Sequence, residues 1–180
     1  MKNQNTKKLA YAALFLALCL VLPMLTGQIP QIGSMLLPMH IPVLLCGLVC
    51  GWQYGAAVGF VAPLLRSVLF GMPPMYPVAI AMAFELPTYG LVIGLVYRRM
   101  AQKGAAGVYA ALLTAMVAGR LVWGVAEVVL LGLGGKAFTA QTFLAGALLN
   151  AVPGIIVQLV LIPAVMAVLQ KAGAVKEYAE

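Results

Sequence analysis

Apolar stretches with almost no charged residues recur along the whole chain. The run from Leu9 to Leu25 contains no charged side chain, and neither does the segment from Ile41 to Leu65. A helix that crosses the hydrocarbon core of a bilayer needs about 20 mainly apolar residues. Only 8% of the 180 residues are charged, whereas a soluble domain carries roughly 25%. The sequence therefore predicts a polytopic membrane protein and excludes a soluble domain.

Prolines, glycines and basic residues divide these stretches into six predicted helices. The sequence GWQYG at 51–55 separates the second helix from the third, and GMPPMYP at 71–77 ends the third, because prolines and glycines interrupt helices. Loops one, three and five are expected to be structured loops on the external face. Residues 1–180 are thus predicted to form one all-α membrane domain of six transmembrane helices, at about 8–25, 41–51, 55–70, 77–98, 105–132 and 141–170.

The positions of lysine and arginine predict the orientation in the membrane. If both termini are cytoplasmic, Lys136 is the one base in the external loops, an asymmetry that fits the positive-inside rule. The eleven bases are too few and too scattered to form a nucleic-acid-binding stripe, so nucleic acid is not an expected partner. The cytoplasmic side then receives Lys2, Lys7, Lys8, Arg98, Arg99, Lys103, Lys171 and Lys176.

Four charged residues lie inside the predicted spans: Arg66, Glu85, Arg120 and Glu127. A charge in hydrocarbon is costly, so each should have a partner or a water-filled cavity. Counting about 1.5 Å of rise per residue places all four, together with Asn150, in the outer half of the bilayer or near its midplane. This formally neutral set of two arginines and two glutamates predicts a ligand cavity. A structural Arg–Glu network between helices is the alternative.

Other candidate residues lie close to these charges in the sequence. Arg120, Trp123 and Glu127 are spaced i, i+3 and i+7 and so share one helix face. An aromatic ring between a cation and an acid can stack a planar ligand while the charges bind its polar edges. His40 is the single histidine, and a hydrogen-bonded loop residue is its more common role. Tyr76, in the proline-rich segment, is a candidate lid residue or an interfacial anchor.

No catalytic constellation accompanies these residues, and we expect the chain not to be an enzyme. A Ser–His pair in the spans is missing, and one histidine with no aspartate cannot supply a usual metal site. We expect neither a metal nor a cofactor in this chain. Glu85 or Glu127 could instead relay protons, so a solitary proton-coupled secondary transporter of a small polar metabolite is the alternative function.

Small residues at helical spacing form a second pattern. Ala10, Ala13 and Ala17 share one face of the first helix, and such faces allow close approach of another helix in a membrane. Glycines repeat the small-xxx-small spacing at 47 and 51, at 55 and 59, and at 90 and 94. For each glycine pair, internal packing is the favoured explanation.

The whole chain resembles the substrate-binding S components of energy-coupling factor (ECF) vitamin transporters. The similarity lies in the size, the six helices and the basic N-terminus that leads into the pair Ala13 and Ala17. It extends to the sequences LPMHIPVLLCG at 37–47, GWQYG at 51–55 and GMPPMYP at 71–77, followed by AFE at 83–85.

The resemblance implies capture of a small vitamin or precursor from outside, followed by toppling of the subunit to release it inward. Ala13 and Ala17 match the positions that dock on a transmembrane T component, and two cytoplasmic ATPases would consume the ATP. The location implied is the plasma membrane of a bacterium. A ligand with carboxylate or zwitterionic character, such as pantothenate or niacin, fits the buried charges. The predicted substrate-binding residues are Glu85, Arg120, Trp123, Glu127, Asn150, His40, Arg66 and Tyr76.

Overall fold

The computed structural model describes residues 2–26, 35–135, 139 and 150–173. Lys136, Lys176, the predicted start of the sixth helix at 141 and parts of loops one and five lie outside these ranges. Short 3-10 turns cover Leu22–Thr26 and Ala101–Lys103, and a π-helical turn covers Met75–Ala79. The described α-helices are α1 (Lys2–Val21), α2 (His40–Cys50), α3 (Trp52–Phe70), α4 (Ile80–Met100), α5 (Ala105–Leu133) and α6 (Val152–Lys171).

Glycines in the left-handed region end two of the helices. Gly51 has a φ of 99° and is the single residue between α2 and α3, so α3 begins three residues before its expected start. Gly71, with a φ of 68°, ends α3 and donates its N–H to the carbonyl of Ser67, the usual arrangement of a C-terminal glycine. Non-glycine residues rarely adopt these φ values, which explains why the chain turns at these points.

Five of the described helices are long and apolar enough to cross a membrane. They are α1, α3, α4 with its preceding turn, α5 and α6. The eleven residues of α2 span only about 16 Å at 1.5 Å per residue, roughly half the thickness of the hydrocarbon core. The described part of the chain is thus all-helical, without strands, as predicted for an integral membrane protein. Full-length spans are supported for five of the six predicted helices.

The short helix α2 lies in the centre of the bundle. All of its residues except Ile41 are buried, and it packs on α1, α3, α4 and α6. A helix that is apolar on every side suits such a position. Glycines bring its neighbours close together: a Cβ at Gly90 of α4 would lie 2.2 Å from the carbonyl carbon of Gly55 in α3. Five of the six paired glycines therefore serve internal packing, as expected from the sequence, and Gly51 instead forms the turn between α2 and α3.

Contacts between residues near the helix termini show which termini lie together at each end of the bundle. One, here called the site end, has the last turns of α1, α3 and α5 and the first turns of α2, α4 and α6. Arg66 near the end of α3 contacts Leu20 near the end of α1, and Tyr76 before α4 contacts Leu130 near the end of α5. At the opposite end, Gln170 of α6 donates a hydrogen bond to Tyr97 of α4.

The opposite end is basic, and we call it the basic end. It carries the first turns of α1 and α5 and the last turns of α4 and α6, where most described lysines and arginines lie. The start of α1 and the end of α6 therefore lie at the same end of the bundle. That this end faces the cytoplasm stays a prediction from the positive-inside rule. The bases concerned are Lys7, Lys8, Arg98, Arg99, Lys103 and Lys171.

Candidate functional site

Glu85 is at the centre of a buried polar cluster in the site end. Its side chain projects from α4, and the residue is 1% exposed. Arg120 Nη1 of α5 lies 3.0 Å from Glu85 Oε1. His40 Nε2, at the start of α2, lies 3.3 Å from the same oxygen. One carboxylate oxygen thus joins three helices, and of the two expectations for an intramembrane charge, a partner or a water-filled cavity, Glu85 and Arg120 have the partner.

Tyr89 and Gly119 form a wall beside the cluster. Tyr89 is buried one helical turn after Glu85, and its ring meets the His40 ring edge-on, with centroids 5.1 Å apart. A Cβ at Gly119 of α5 would lie 2.6 Å from the Tyr89 ring, so glycine is needed for the ring to lie against α5. Sequence reasoning missed Tyr89. The available signal is its spacing of four residues from Glu85, which puts both side chains on one helix face.

The face of α5 predicted from residue spacing contributes a cation, an aromatic ring and a second acid. The Arg120 guanidinium lies 5.8 Å from the centre of the Trp123 ring, within the range of a cation–π contact. Glu127 is buried nearer to the site end of the same helix. It lies close enough to Glu85 for the two carboxylates to interact electrostatically. Arg120 therefore pairs with Glu85 of α4, and the face of α5 that carries Arg120 also carries Glu127.

Arg66 is buried in a different contact. Its guanidinium donates a hydrogen bond to the carbonyl of Leu20 and lies 5.3 Å from the centre of the Phe70 ring. Among the described residues it forms no ion pair with either glutamate. A carbonyl in the last turn of a helix lacks an intrahelical donor, which makes Leu20 a suitable acceptor. The predicted neutral set of four charges therefore divides, because Arg66 ties α3 to α1, Arg120 pairs with Glu85, and Glu127 has no ion-pair partner among the described residues.

Two further candidate residues lie at the rim of the site end. Tyr76 is 49% exposed, and its hydroxyl donates a hydrogen bond to the carbonyl of Leu130 in α5. This contact attaches the proline-rich segment to α5 and is compatible with both roles predicted for Tyr76. Asn150 is exposed in the turn before α6, not deep inside a helix as predicted. Pro153 in the first turn of α6 suits a helix start at this point.

Gln158 is a buried polar residue that sequence reasoning missed. It is 1% exposed and lies on the inward stripe of α6, with Gly154, Ile162 and Met166. The signal was available, since Gln158 is the one polar side chain between Gly154 and Gln170. A polar residue that faces the bundle interior in an otherwise apolar membrane helix commonly marks a functional position.

The cluster has the properties of a site that binds a polar molecule. Opposite charges and hydrogen-bonding groups lie among apolar side chains, where the low dielectric constant strengthens electrostatic contacts. Small-molecule sites combine an apolar lining with a few such convergent polar groups. Within the described ranges, no group of three or more His, Cys, Asp or Glu residues is arranged to hold a metal ion.

Comparison with known proteins gives the family. The family model described as "ECF transporter, substrate-specific component" matches residues 7–166, a range that includes every residue of the cluster. No curated protein and no solved structure matches the chain. The family match covers most of the sequence, and the all-helical fold with its span-length helices agrees with it. The chain therefore belongs to the substrate-specific components of ECF transporters, which are membrane transport subunits and not enzymes.

Proposed function

We propose that the chain is the substrate-binding subunit of an ECF-type ABC importer for a small vitamin or vitamin precursor. It captures this ligand from outside the cell and delivers it inward by toppling in the membrane. A transmembrane T component and two cytoplasmic ATPases complete the importer, and the ATPases use the ATP. The membrane is the plasma membrane of a bacterium.

The observation that carries this proposal is the buried cluster of Glu85, Arg120 and His40 at the site end. The positive-inside rule assigns the basic end to the cytoplasm, so the cluster faces outward, where the ligand arrives. A buried ion pair is weak evidence for stability because desolvation offsets much of its attraction. Ligand recognition gives a reason for this cluster to lie in the membrane. Bracing of α2, α4 and α5 is the structural alternative.

An exposed alanine face on α1 supports association with a T component. The three alanines of this face are exposed, although small apolar side chains make few contacts with lipid. They are Ala10, Ala13 and Ala17. The other side of α1 packs into the core. Faces of small residues allow two membrane helices to approach closely. The inward-facing residues of α1 are Ala12, Phe15 and Cys19.

Ligand co-purification tests the proposal most directly. The full chain is extracted in detergent, and small molecules released from it on denaturation are identified by mass spectrometry. We expect one vitamin or precursor to co-purify and to raise the Tm when it is added back. A ligand at a hundred times its Kd stabilises the folded state by about 2.7 kcal/mol, which a thermal scan resolves. If nothing co-purifies and no vitamin raises the Tm, the proposal fails.

Transport in cells that lack ECF ATPases separates the proposal from a proton-coupled carrier. An ECF subunit alone should give no concentrative uptake, whereas a carrier should do so. In a carrier, replacing Glu85 or Glu127 with Gln should abolish that uptake, because each is a possible proton relay. Concentrative uptake by this chain alone, lost in either variant, would therefore favour the carrier.

A further inference from the structure

Three buried nitrogen atoms near the site end have no hydrogen-bond partner among the described residues. They are His40 Nδ1, Arg120 Nη2 and Gln158 Nε2, on three different helices. Buried polar groups in native proteins are nearly always paired, and an unpaired one costs free energy. The arginine and amide nitrogens can only donate, whereas the role of His40 Nδ1 depends on its tautomer. A missing acceptor is therefore implied.

Two of these nitrogens lie in the Glu85 cluster by direct geometry. His40 contacts one oxygen of Glu85 through Nε2, and Arg120 contacts the same oxygen through Nη1. Their unpaired nitrogens therefore belong to an imidazole ring and a guanidinium group that both contact this carboxylate. Glu85 itself is nearly inaccessible and already accepts both contacts. It therefore acts as a positioning residue that holds the Arg120 guanidinium and the His40 imidazole in place.

Packing of α6 brings Gln158 to the same level. Gly154 lies against the backbone of residues 35 and 36, since a Cβ there would be 2.6 Å from the Met35 carbonyl oxygen. Gln158 follows one turn deeper on the same inward stripe, and α6 packs on both α2 and α5. Its amide is thus buried at the depth where α2 begins with His40.

Carboxylates outnumber cationic side chains in this region. Arg120 is paired with Glu85, and Glu127 is a second buried carboxylate that has no cationic partner within the described residues. Arg66, which could have balanced it, contacts the Leu20 carbonyl instead. At their formal charges, Glu85, Glu127 and Arg120 together carry one surplus negative charge. A purely anionic ligand would add to that surplus.

We infer that the ligand of this site is a small molecule with a basic amine or other cationic nitrogen, which pairs with Glu127, and with acceptor oxygens, which bind Arg120 and Gln158. The inference rests on the proposed function and adds the chemical class of the substrate. Trp123, beside the Arg120 guanidinium, offers a ring face to a planar part of such a molecule. Molecules with acidic groups alone, which the sequence also allowed, are disfavoured.

Five probes test the charge requirement on the purified full chain. Thiamine and pyridoxamine carry cationic nitrogen, pyridoxine matches pyridoxamine without the amine, and nicotinate and pantothenate carry acidic groups. We expect a cationic probe to raise the Tm and the two acids to have no effect. Stabilisation by nicotinate or pantothenate alone overturns the inference but leaves the proposed function standing. Absence of any shift also overturns it, and ligand co-purification then decides the proposed function separately.

Two variants assign the contacts with the cationic probe that binds. Glu127→Gln should weaken its binding at least tenfold in calorimetry. Gln158→Met should also weaken binding, yet leave the ligand-free Tm unchanged or higher, because it removes an unpaired buried donor. Gln53→Met, the same substitution at an exposed position of the basic end, is the control and should change neither quantity. A lower ligand-free Tm with unchanged affinity in Gln158→Met would assign Gln158 to structure and overturn its role.

Discussion

Replacing Glu85 with Met removes the acceptor that holds Arg120 and His40 in place. The guanidinium side chain of Arg120 is 13% exposed, so it would remain mostly buried without its counter-charge. Breaking a buried ion pair by removing one partner typically destabilises a protein by about 3–5 kcal/mol. We expect the lower part of this range, because the Arg120 side chain is slightly more exposed than that of Glu85.

The double substitution Glu85→Met with Arg120→Met should lower the free energy of unfolding by less than the sum of the two single substitutions. Replacement of both members of a buried pair by apolar residues of similar volume is often neutral. The remaining cost is the unpaired Nε2 of His40, which is on the order of 1–3 kcal/mol. The double variant should therefore be at least about 1 kcal/mol more stable than additivity predicts, within the range for residues in contact.

The free energy of unfolding is measured by equilibrium unfolding of the ligand-free protein in mixed detergent and SDS micelles. The cycle comprises the unsubstituted protein, the two single variants and the double variant. Phe84→Met with Leu121→Met is the matched control, because these neighbours in the sequence are exposed, at 55% and 59%. Changes at separated exposed sites should add within about 0.5 kcal/mol. If the Glu85 and Arg120 effects are equally additive, the two side chains do not form an energetically coupled pair, and the reasoning is refuted.

Two further predictions concern helix packing. Gly90→Ala should lower the free energy of unfolding by about 1–3 kcal/mol through overpacking, since its Cβ would meet the Gly55 backbone. Gly132→Ala, where a Cβ meets nothing within 4 Å, should be neutral or stabilising by up to about 1 kcal/mol through helix propensity. If Gly90→Ala and Gly132→Ala lower the free energy of unfolding in SDS equally, the close α3–α4 contact is contradicted. Ala17→Phe should leave ligand binding intact but abolish uptake in cells with T component and ATPases, whereas Val125→Phe on the exposed face of α5 should preserve both. Loss of binding in Ala17→Phe would instead place that alanine in internal packing.

Membrane insertion and the positions of most helices could be read from the sequence. Both depend on local properties: the length of an apolar run, and the φ restrictions that proline and glycine impose at its ends. The shared face of Arg120, Trp123 and Glu127 was also predictable, because spacing along one helix fixes which residues are neighbours. The pairing of Glu85 with Arg120 agreed with the cost of leaving either charge alone in a membrane.

Only the tertiary structure decided which buried groups meet across helices. Arg66 reaches a carbonyl at the end of α1, although counting charges had grouped it with the two glutamates. His40 reaches Glu85 from a helix distant in the sequence. Such contacts depend on how close the helices pack, which the glycines of α3, α4 and α5 set through backbone approach. The sequence alone thus determines how many charges lie in the spans, while the packing of the bundle determines that Arg120, and not Arg66, pairs with Glu85.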